Sequence, residues 1–337
     1  MNRHGTRPLR LHPLSFAAVL VAIAAALAAV LPASAAEQIP EIPAWMKAHI
    51  GREDGKIASV VLRRARALYL QKKEAGDVEN PCYFAMDATR PSMTRKGRLG
   101  RRFYIICEAK RLFRAISSGY GNGRRLPGAN FSNGRRCAQH FGNAEGSKLT
   151  TGGSYLTAET RTTFKGYYRV RGKKRSLVRS FLQFVGEGIT ANARERAIGG
   201  HPAVTLRGLC RRKDPKSPHA NEEGFVRWGR LIDYTAGRSN GCTSWSPKDS
   251  KQIFTLVKDA PTTVYIYPEA RDILAVAEAA KAGRLPSKAD LYWDADCLRT
   301  IRAPKFWSSR ILDPIIAKFR ADHPPGPPRP LPMCRGK

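Results

Sequence analysis

The stretch from residue 82 to residue 268 consists of short apolar runs separated by clusters of Gly, Asn and Ser, and this texture strongly narrows the folds open to the chain. Clear examples of such runs are residues 103–106, 182–185 and 263–267. Short apolar runs bounded by turn residues are typical of β-strands. The stretch therefore predicts a β-rich domain.

Apolar residues recur with helical spacing on both sides of this stretch and once inside it. Residues 57–75 predict an amphipathic helix before it, and residues 270–282 and 308–319 predict two helices after it. A further helix is predicted over residues 247–257. The expected fold class is therefore mainly β, with helical N- and C-terminal extensions.

The same features divide the chain into five parts. They are a signal peptide (1–36), an N-terminal helical segment (37–80), the β-rich domain (81–268), a helical C-terminal extension (269–322) and a Pro-rich tail (323–337). A tail so rich in proline predicts an extended chain. Packing on the domain, docking a partner and limiting access to a cleft are all open roles for the C-terminal extension.

The first 36 residues have the parts of a cleavable export signal. Arg3, Arg7 and Arg10 precede an apolar run over residues 16–31, and small residues fill positions 33–36. An uncleaved membrane anchor is the alternative, but the run is shorter than the roughly 20 residues that a spanning helix needs. We expect a periplasmic, envelope or secreted protein with no transmembrane helix after signal removal.

The chain is strongly basic, with a formal net charge of +32 that becomes +29 once the three signal arginines are removed. Such a charge favours an anionic partner. Basic residues cluster at 95–102, 169–179 and 211–213, and no cluster is interleaved with the aromatic residues that base stacking requires. Outside the inner membrane the candidate partners are an anionic cell-wall polymer, acidic lipid headgroups and other envelope polyanions, and general solubility is the alternative explanation of the charge. We expect no nucleic acid as partner. The oligomeric state stays open.

The cysteine count also limits what the chain can do. Seven cysteines follow the signal, at positions 82, 107, 137, 210, 242, 297 and 334. Disulfides are expected in an oxidising compartment, and an odd count leaves one thiol unpaired. The spacing of cysteines and histidines matches no zinc template. Fifteen pairings are possible for six cysteines, and the spacing does not choose among them.

One cysteine lies in the sequence Gly-Arg-Ser-Asn-Gly-Cys, which ends at Cys242 shortly before the predicted helix 247–257. Amide groups in a Gly-rich turn can converge on an oxyanion, and a nearby cation or helix N-terminus can lower a thiol pKa. The alternative is that Cys242 is half of a disulfide. A thiolate nucleophile also needs a histidine base, for which His140, His201 and His219 are candidates.

At these residues the chain resembles the murein L,D-transpeptidase catalytic domains of the YkuD type, in the branch with the motif Gly-Arg-Ser-x-Gly-Cys. The similar segments keep the family's order, and they are residues 87–92, 103–106 with 113–116, 117–121, 146–157, 192–198 and 237–242. The resemblance implies an L,D-transpeptidase-like β-sandwich or barrel over residues 81–268. It also implies one helix directly after the catalytic cysteine.

The resemblance assigns roles to particular residues. Cys242 takes the position of the nucleophile, and His201 takes that of the base because residues 192–198 resemble the run before the family's histidine. Pro202 stands where the family has glycine, and Gly199 and Gly200 stand where a strand would carry apolar residues. His201 and Cys242 are 41 positions apart, a long spacing that the segment around residues 210–223 would account for.

The implied reaction is acyl transfer on peptidoglycan stem peptides. Cys242 would form a thioester with loss of terminal D-alanine, and the acyl group would pass to an amine, or to water in an L,D-carboxypeptidase. Gly241 and Cys242 would supply oxyanion donors, while Arg238, Ser239 and Asn240 would hold or shape the substrate. No metal or organic cofactor is implied.

Two other functions fit the same composition. A non-catalytic basic envelope protein that binds cell wall or polyanion would have Cys242 in a disulfide and His201 far from it. A cysteine peptidase would present its nucleophile from a helix, with far fewer strands ahead of it.

Overall fold

The computed structural model describes residues 41–335. The predicted signal at residues 1–36 lies outside the described residues. Among the helices that are described, none is both long and apolar enough to cross a lipid bilayer.

Six α-helices are described, and four of them were predicted from the periodicity of the sequence. They are α1 (Ala44–Lys47), α2 (Ser59–Glu74), α3 (Pro247–Val257), α4 (Ala270–Lys281), α5 (Ala295–Ile301) and α6 (Ser309–Asp322). The four predicted helices correspond to α2, α3, α4 and α6. Helix α3 begins where it does because Pro247 follows Ser246, whose side chain accepts a hydrogen bond from the Asp249 amide.

Sixteen strands are described, and they lie mainly in the predicted β-rich stretch. They are β1 (Cys82–Asp87), β2 (Arg101–Cys107), β3 (Leu112–Ser117), β4 (Tyr120–Gly121), β5 (Arg125–Leu126), β6 (Ala129–Asn130), β7 (His140–Gly142), β8 (Gly153–Val170), β9 (Lys173–Gly186), β10 (Gly199–Pro202), β11 (Val204–Lys213), β12 (Phe225–Asp233), β13 (Arg238–Ser239), β14 (Thr243–Trp245), β15 (Thr263–Tyr267) and β16 (Lys305–Trp307).

Ten of these strands form one sheet, whose main path runs β14-β10-β9-β8-β15-β1-β2-β3. Strand β12 joins β8, and β11 pairs with β12. The mainly β content is therefore as predicted. Over residues 41–335 the sheet stays open, so the closed barrel among the expected architectures is not formed. The finer assignment to a transpeptidase-like fold stays a prediction.

The centre of the sheet is buried on both faces. Along β1, Tyr83 and Ala85 pack with helix α2, while Phe84 and Met86 point into the larger core that includes residues of α3, α4 and α5. Side chains alternate across a strand, so a strand covered on both sides becomes apolar throughout. This burial places α3 behind the strand that follows Cys242.

The helical C-terminal region belongs to the same core. Strand β16 pairs with β7 in parallel, and the Cys137–Cys297 disulfide joins the segment before β7 to α5. Leu312 and Ile316 of α6 are buried against a third apolar cluster. Among the roles left open for this region, packing on the domain is therefore the one observed.

Two hairpins extend the sheet into a structure that we call the arm, which comprises residues 160–180 and 204–233. Strands β8 and β9 form the first hairpin, and β11 and β12 form the second. The Cys210–Cys334 disulfide attaches the C-terminal tail to the second hairpin. The base of the second hairpin lies next to the predicted site at His201 and Cys242.

Candidate active site

Strand pairing brings His201 and Cys242 to the same end of the sheet. Strands β10 and β14 are parallel, with His201 opposite Ser244 and Gly200 opposite Thr243. The long spacing in sequence is taken up by the β11–β12 hairpin, which returns the chain beside its starting point. The Tyr234 amide donates to the Ala203 carbonyl at 2.8 Å, and this bond closes the hairpin's base.

The turn that carries Cys242 is braced by Ser239. The Ser239 hydroxyl accepts a hydrogen bond from the Gly241 amide at 3.2 Å and donates to the Cys242 carbonyl. Gly241 has φ +112°, and a Cβ there would lie 2.9 Å from the Leu149 carbonyl oxygen. The motif thus needs Ser and Gly at these positions to shape the turn.

This bracing differs from the expected role of the Gly241 amide as an oxyanion donor, because the amide is already paired with Ser239. The remaining expected donor is the Cys242 amide. Ser239 is buried and acts on the turn, while Asn240 and Arg238 are exposed at the rim. Arg238 Nη1 donates to the Asn133 carbonyl at 2.5 Å, so its guanidinium is held in place.

Residues 117–121 and the adjoining Asn122 form hydrogen bonds that support the turn carrying Cys242. Strand β4 pairs in parallel with β13, and the Gly119 amide donates to the Ser244 carbonyl at 2.8 Å. The Asn122 amide donates to the Ser239 carbonyl at the same distance. The segment 117–121, noted in the sequence for its family resemblance, therefore lies next to the Cys242 motif.

The two glycines of β10 are explained by packing. A Cβ on Gly200 would lie 1.9 Å from the Trp245 ring, and one on Gly199 would lie 2.1 Å from the Leu182 carbonyl oxygen. Trp245 is completely buried. Glycine at both positions lets β10 lie close to its neighbours, which an apolar side chain would prevent.

All seven cysteines lie in the described residues, and their pairing leaves Cys242 free. The disulfides are Cys82–Cys107, Cys137–Cys297 and Cys210–Cys334. The prediction of one unpaired thiol is thus confirmed, and the alternative of a disulfide at Cys242 is wrong. The Cys242 thiol donates to the Ala197 carbonyl, with 3.3 Å between sulfur and oxygen.

Burial dominates the chemistry of this thiol. Cys242 is only 8% exposed, and the loss of solvation raises its pKa above the ordinary thiol value. The Gly199 amide and the positive charges of Arg179 and Arg196 act in the opposite direction, but they are smaller effects. In the free protein Cys242 is therefore a protonated thiol at neutral pH.

His201 is also buried and neutral. Its Nδ1 lies 2.9 Å from Nη2 of Arg179 and 3.1 Å from the Pro202 carbonyl oxygen. Burial, and then the charge of Arg179, lower the His201 pKa to about 4. Both members of the predicted pair are thus uncharged at neutral pH. Within the described structure, no hydrogen bond joins their side chains.

The other two candidate histidines lie elsewhere. Trp307 Nε1 donates to Nδ1 of His140 at 3.0 Å, and burial, followed by the charge of Lys305, lowers the His140 pKa to about 4. His219 packs against Tyr167 in the arm. Of the three, His201 alone lines a cleft with Cys242 in the part of the chain that is described.

The cleft in front of Cys242, which we call the Cys242 cleft, has a volume of about 570 Å³. Four guanidinium groups line it, and no acidic residue does so among the described residues. The four belong to Arg179, Arg196, Arg207 and Arg238. Such a set of cations suits a ligand with a carboxylate. Tyr234 completes this side of the cleft through a hydrogen bond from Arg179 at 3.1 Å.

Sequence reasoning found Arg238 but missed the other three arginines. Arg179 and Arg207 lie on different strands of the arm, and Arg196 belongs to the loop before β10. Arg196 is half-buried and donates to the Leu149 carbonyl at 2.8 Å. The sequence had drawn attention to residues 192–198 because they precede His201, and it gave no indication that Arg196 lines the cleft. No group of three or more His, Cys, Asp or Glu that could hold a metal occurs in residues 41–335.

Comparisons with known proteins do not identify the chain. No protein-family model, no curated protein and no solved structure matches it.

Proposed function

We propose that the protein is an exported cysteine acyltransferase that acts on peptidoglycan stem peptides as an L,D-transpeptidase. The observation that carries the proposal is the cleft shared by the unpaired Cys242 and the neutral His201, lined by four guanidinium groups. A nucleophile, a base that is neutral at pH 7 and cations for a carboxylate are the parts that acyl transfer on an acidic peptide requires.

The first half-reaction forms a thioester. His201 takes the thiol proton as the Cys242 sulfur attacks the carbonyl carbon of the third stem residue. The amide bond to terminal D-alanine then breaks, and His201 returns the proton to the leaving amine. The Cys242 amide is the candidate donor to the oxyanion, because the Gly241 amide is taken by Ser239.

The second half-reaction releases the enzyme. An amine of a second stem attacks the thioester carbonyl, the carbon–sulfur bond breaks, and His201 passes the amine proton back to the sulfur. The product is a cross-link between third residues. With water as acceptor the same steps give an L,D-carboxypeptidase, and with a protein lysine they anchor that protein to the wall.

We infer that in the free protein Arg179 keeps His201 in the tautomer that cannot act as the base. A guanidinium only donates hydrogen bonds, so when Arg179 donates to Nδ1 the ring proton lies on Nε2. We infer that the substrate carboxylate draws Arg179 away. Nδ1 then carries the proton and donates to the Pro202 carbonyl, which leaves Nε2 free to accept the thiol proton. Arg179 is thus a positioning residue.

The test is incubation of the protein lacking residues 1–36 with a disaccharide-tetrapeptide, followed by mass spectrometry. Release of D-alanine with a cross-linked or tripeptide product is expected, and Cys242→Ala and His201→Gln should each abolish it. Lys251→Ala, on the exposed face of α3, is the matched control and should keep full activity. Equal turnover by Cys242→Ala would overturn the proposal.

The rival functions predict different results. A non-catalytic wall-binding protein would bind the polymer without releasing D-alanine, although its expected disulfide at Cys242 is not present. A cysteine peptidase would cleave bonds between L-residues. Its expected geometry, a nucleophile at a helix, differs from the observed one, in which Cys242 directly precedes strand β14.

A further inference from the structure

The arm is the most basic part of the described chain that lies outside the catalytic pair. Residues 160–180 and 204–233 together contain fifteen lysines and arginines but only four acidic residues. Two of those acids are engaged in ion pairs, Asp214 with Lys174 at 2.9 Å and Glu223 with Arg211 at 3.9 Å. A large excess of positive charge is left, much of it on exposed side chains.

Aromatic rings lie beneath many of these cations. Lys174 Nζ is 4.0 Å from the centre of the Tyr167 ring, and Arg169 and Arg212 lie over Trp228 at 5.8 and 5.9 Å. Rings and cations come from neighbouring strands, so the sequence did not show this interleaving. Cations held over rings are oriented before a ligand arrives, which lowers the entropic cost of binding.

Two further clefts lie along the arm beside the Cys242 cleft. A middle cleft of about 640 Å³ has Thr163 in common with the Cys242 cleft, and a distal cleft of about 490 Å³ contains Arg230, the cross-strand partner of Arg207 in the Cys242 cleft. From Thr163 to Arg169 the strand β8 covers roughly 20 Å at its usual rise per residue. The distance between the Cys242 cleft and the distal cleft therefore suits an extended polymer.

The C-terminal tail forms a fixed wall of the two outer clefts. The Arg211 amide donates to the Pro332 carbonyl at 2.8 Å, and the Cys334 amide donates to the Arg211 carbonyl at 2.9 Å. With the Cys210–Cys334 disulfide, these bonds make the tail an additional strand-like edge of the arm. A fixed wall keeps the groove open in the absence of a ligand.

We propose that the arm binds a linear anionic polysaccharide, with the chain running from the distal cleft to the Cys242 cleft and its acidic groups on the surrounding guanidiniums. A planar guanidinium pairs with carboxylate, sulfate or phosphate through two parallel hydrogen bonds. The proposal goes beyond acyl transfer, because binding in the outer clefts needs neither Cys242 nor His201.

Two other polyanions fit the arm less well. Trp228 and Tyr167 already pack against each other and carry the protein's own cations, so their faces are not open to nucleic-acid bases. A lipid surface would be met by a flat or convex patch, whereas the guanidiniums of the arm surround concave clefts.

The proposal is tested by binding of labelled polygalacturonate to the Cys242→Ala protein across a range of salt concentrations. The arm variant carries Arg169→Gln, Arg212→Gln and Arg230→Gln, which remove three exposed cations of the distal cleft. We expect its affinity to fall at least tenfold at low salt. The slope of log K against log salt should fall by about two to three, as for the loss of that many ionic contacts.

Matched controls separate a located site from general charge. Arg63→Gln, Lys96→Gln and Arg98→Gln remove three exposed cations elsewhere and should leave the affinity within about twofold. Replacing the three arm arginines by lysine restores the charge without the paired hydrogen bonds and should restore part of the binding, which excludes a folding defect in the glutamine variant. Neutral dextran should not bind.

Three results would overturn the proposal. They are equal weakening by the arm and control variants, no weakening by the arm variant, and tighter arm-dependent binding of single-stranded DNA or anionic vesicles than of polygalacturonate. Since all proteins in the test lack the thiol, failure here leaves the D-alanine release assay unaffected. Failure of that assay likewise leaves polysaccharide binding by the arm to be judged by its own result.

Discussion

Nη2 of Arg179 lies 2.9 Å from Nδ1 of His201. Because a guanidinium only donates hydrogen bonds, Arg179 cannot accept a proton from the imidazole. This contact has two consequences for the proposed reaction. The ring is kept neutral at physiological pH, and its Nδ1 is occupied until Arg179 moves. Activity should therefore depend on Arg179, although Arg179 does not itself react with the scissile bond.

Replacing Arg179 with glutamine should change the pH profile as well as the rate. Removal of the cation relieves one cause of the lowered His201 pKa, so the acidic limb of kcat/KM should move from near pH 4 towards neutrality. Loss of a charge-assisted contact to the substrate carboxylate should lower kcat/KM about 10–100-fold, mainly through KM. Arg179→Lys keeps the charge, so its acidic limb should stay near that of the unaltered protein. An unchanged limb in Arg179→Gln would contradict the assigned role.

The Cys242 thiol should react slowly in the free protein. Because burial raises its pKa, alkylation by iodoacetamide should increase with pH and show its inflection above the ordinary thiol range. Mass spectrometry of the unreduced protein should find one modified cysteine, and none in Cys242→Ala. Rapid alkylation at pH 6 would show instead that the thiol exists as an ion pair with His201.

Gly241→Ala should impair catalysis more than it impairs folding. The added Cβ meets the Leu149 carbonyl oxygen in a turn with positive φ, so the Cys242 amide and sulfur should be displaced. A loss of at least 100-fold in kcat is expected, since small displacements at a nucleophile have effects of this size. Gly188→Ala is the control, because φ there is +57° and no atom lies near the new Cβ. Gly188→Ala should lower the free energy of unfolding by about 1–2 kcal/mol through backbone strain and leave the activity unchanged.

Acid should destabilise the protein through His201. Its pKa is about 4 when folded and 6.5 in the unfolded chain, so between these values the unfolded state binds more protons and the free energy of unfolding falls as the pH falls. The full effect is about 3 kcal/mol. Urea unfolding at pH 7 and pH 4.5 should show a smaller decrease for His201→Gln. His140 titrates in the same window in both proteins, so the difference reports on His201.

Removing the Cys210–Cys334 disulfide should loosen the arm. The bond closes a loop between residues 124 positions apart, and chain-entropy arguments assign such a cross-link up to about 5 kcal/mol. In the Cys210→Ser, Cys334→Ser variant, amide hydrogen exchange should rise in residues 204–233 and 329–335. Exchange in α4 should be unchanged, because that helix packs in the central core. If the variant and the unaltered protein show equal exchange in all of these regions, the tail is held by its hydrogen bonds alone.

Much of the local structure could be predicted from the sequence. The 3.6-residue spacing of apolar side chains identified α2, α3, α4 and α6, and runs such as 263–267 proved to be strands of the central sheet. These signals are local, since a helix or strand shows its buried face in the order of its own residues. The openness of the sheet was not visible, because it depends on which strands lie at its edges.

The candidate site divides in the same way. The sequence by itself determined that one of seven cysteines would be unpaired, and the turn before Cys242 indicated which one. Tertiary structure decided the disulfide pairing, the separation of His140 and His219 from the cleft, and the assembly of Arg179, Arg196 and Arg207 around it. Those contacts join residues far apart in sequence, so they follow from strand pairing and burial, and local spacing carries no record of them.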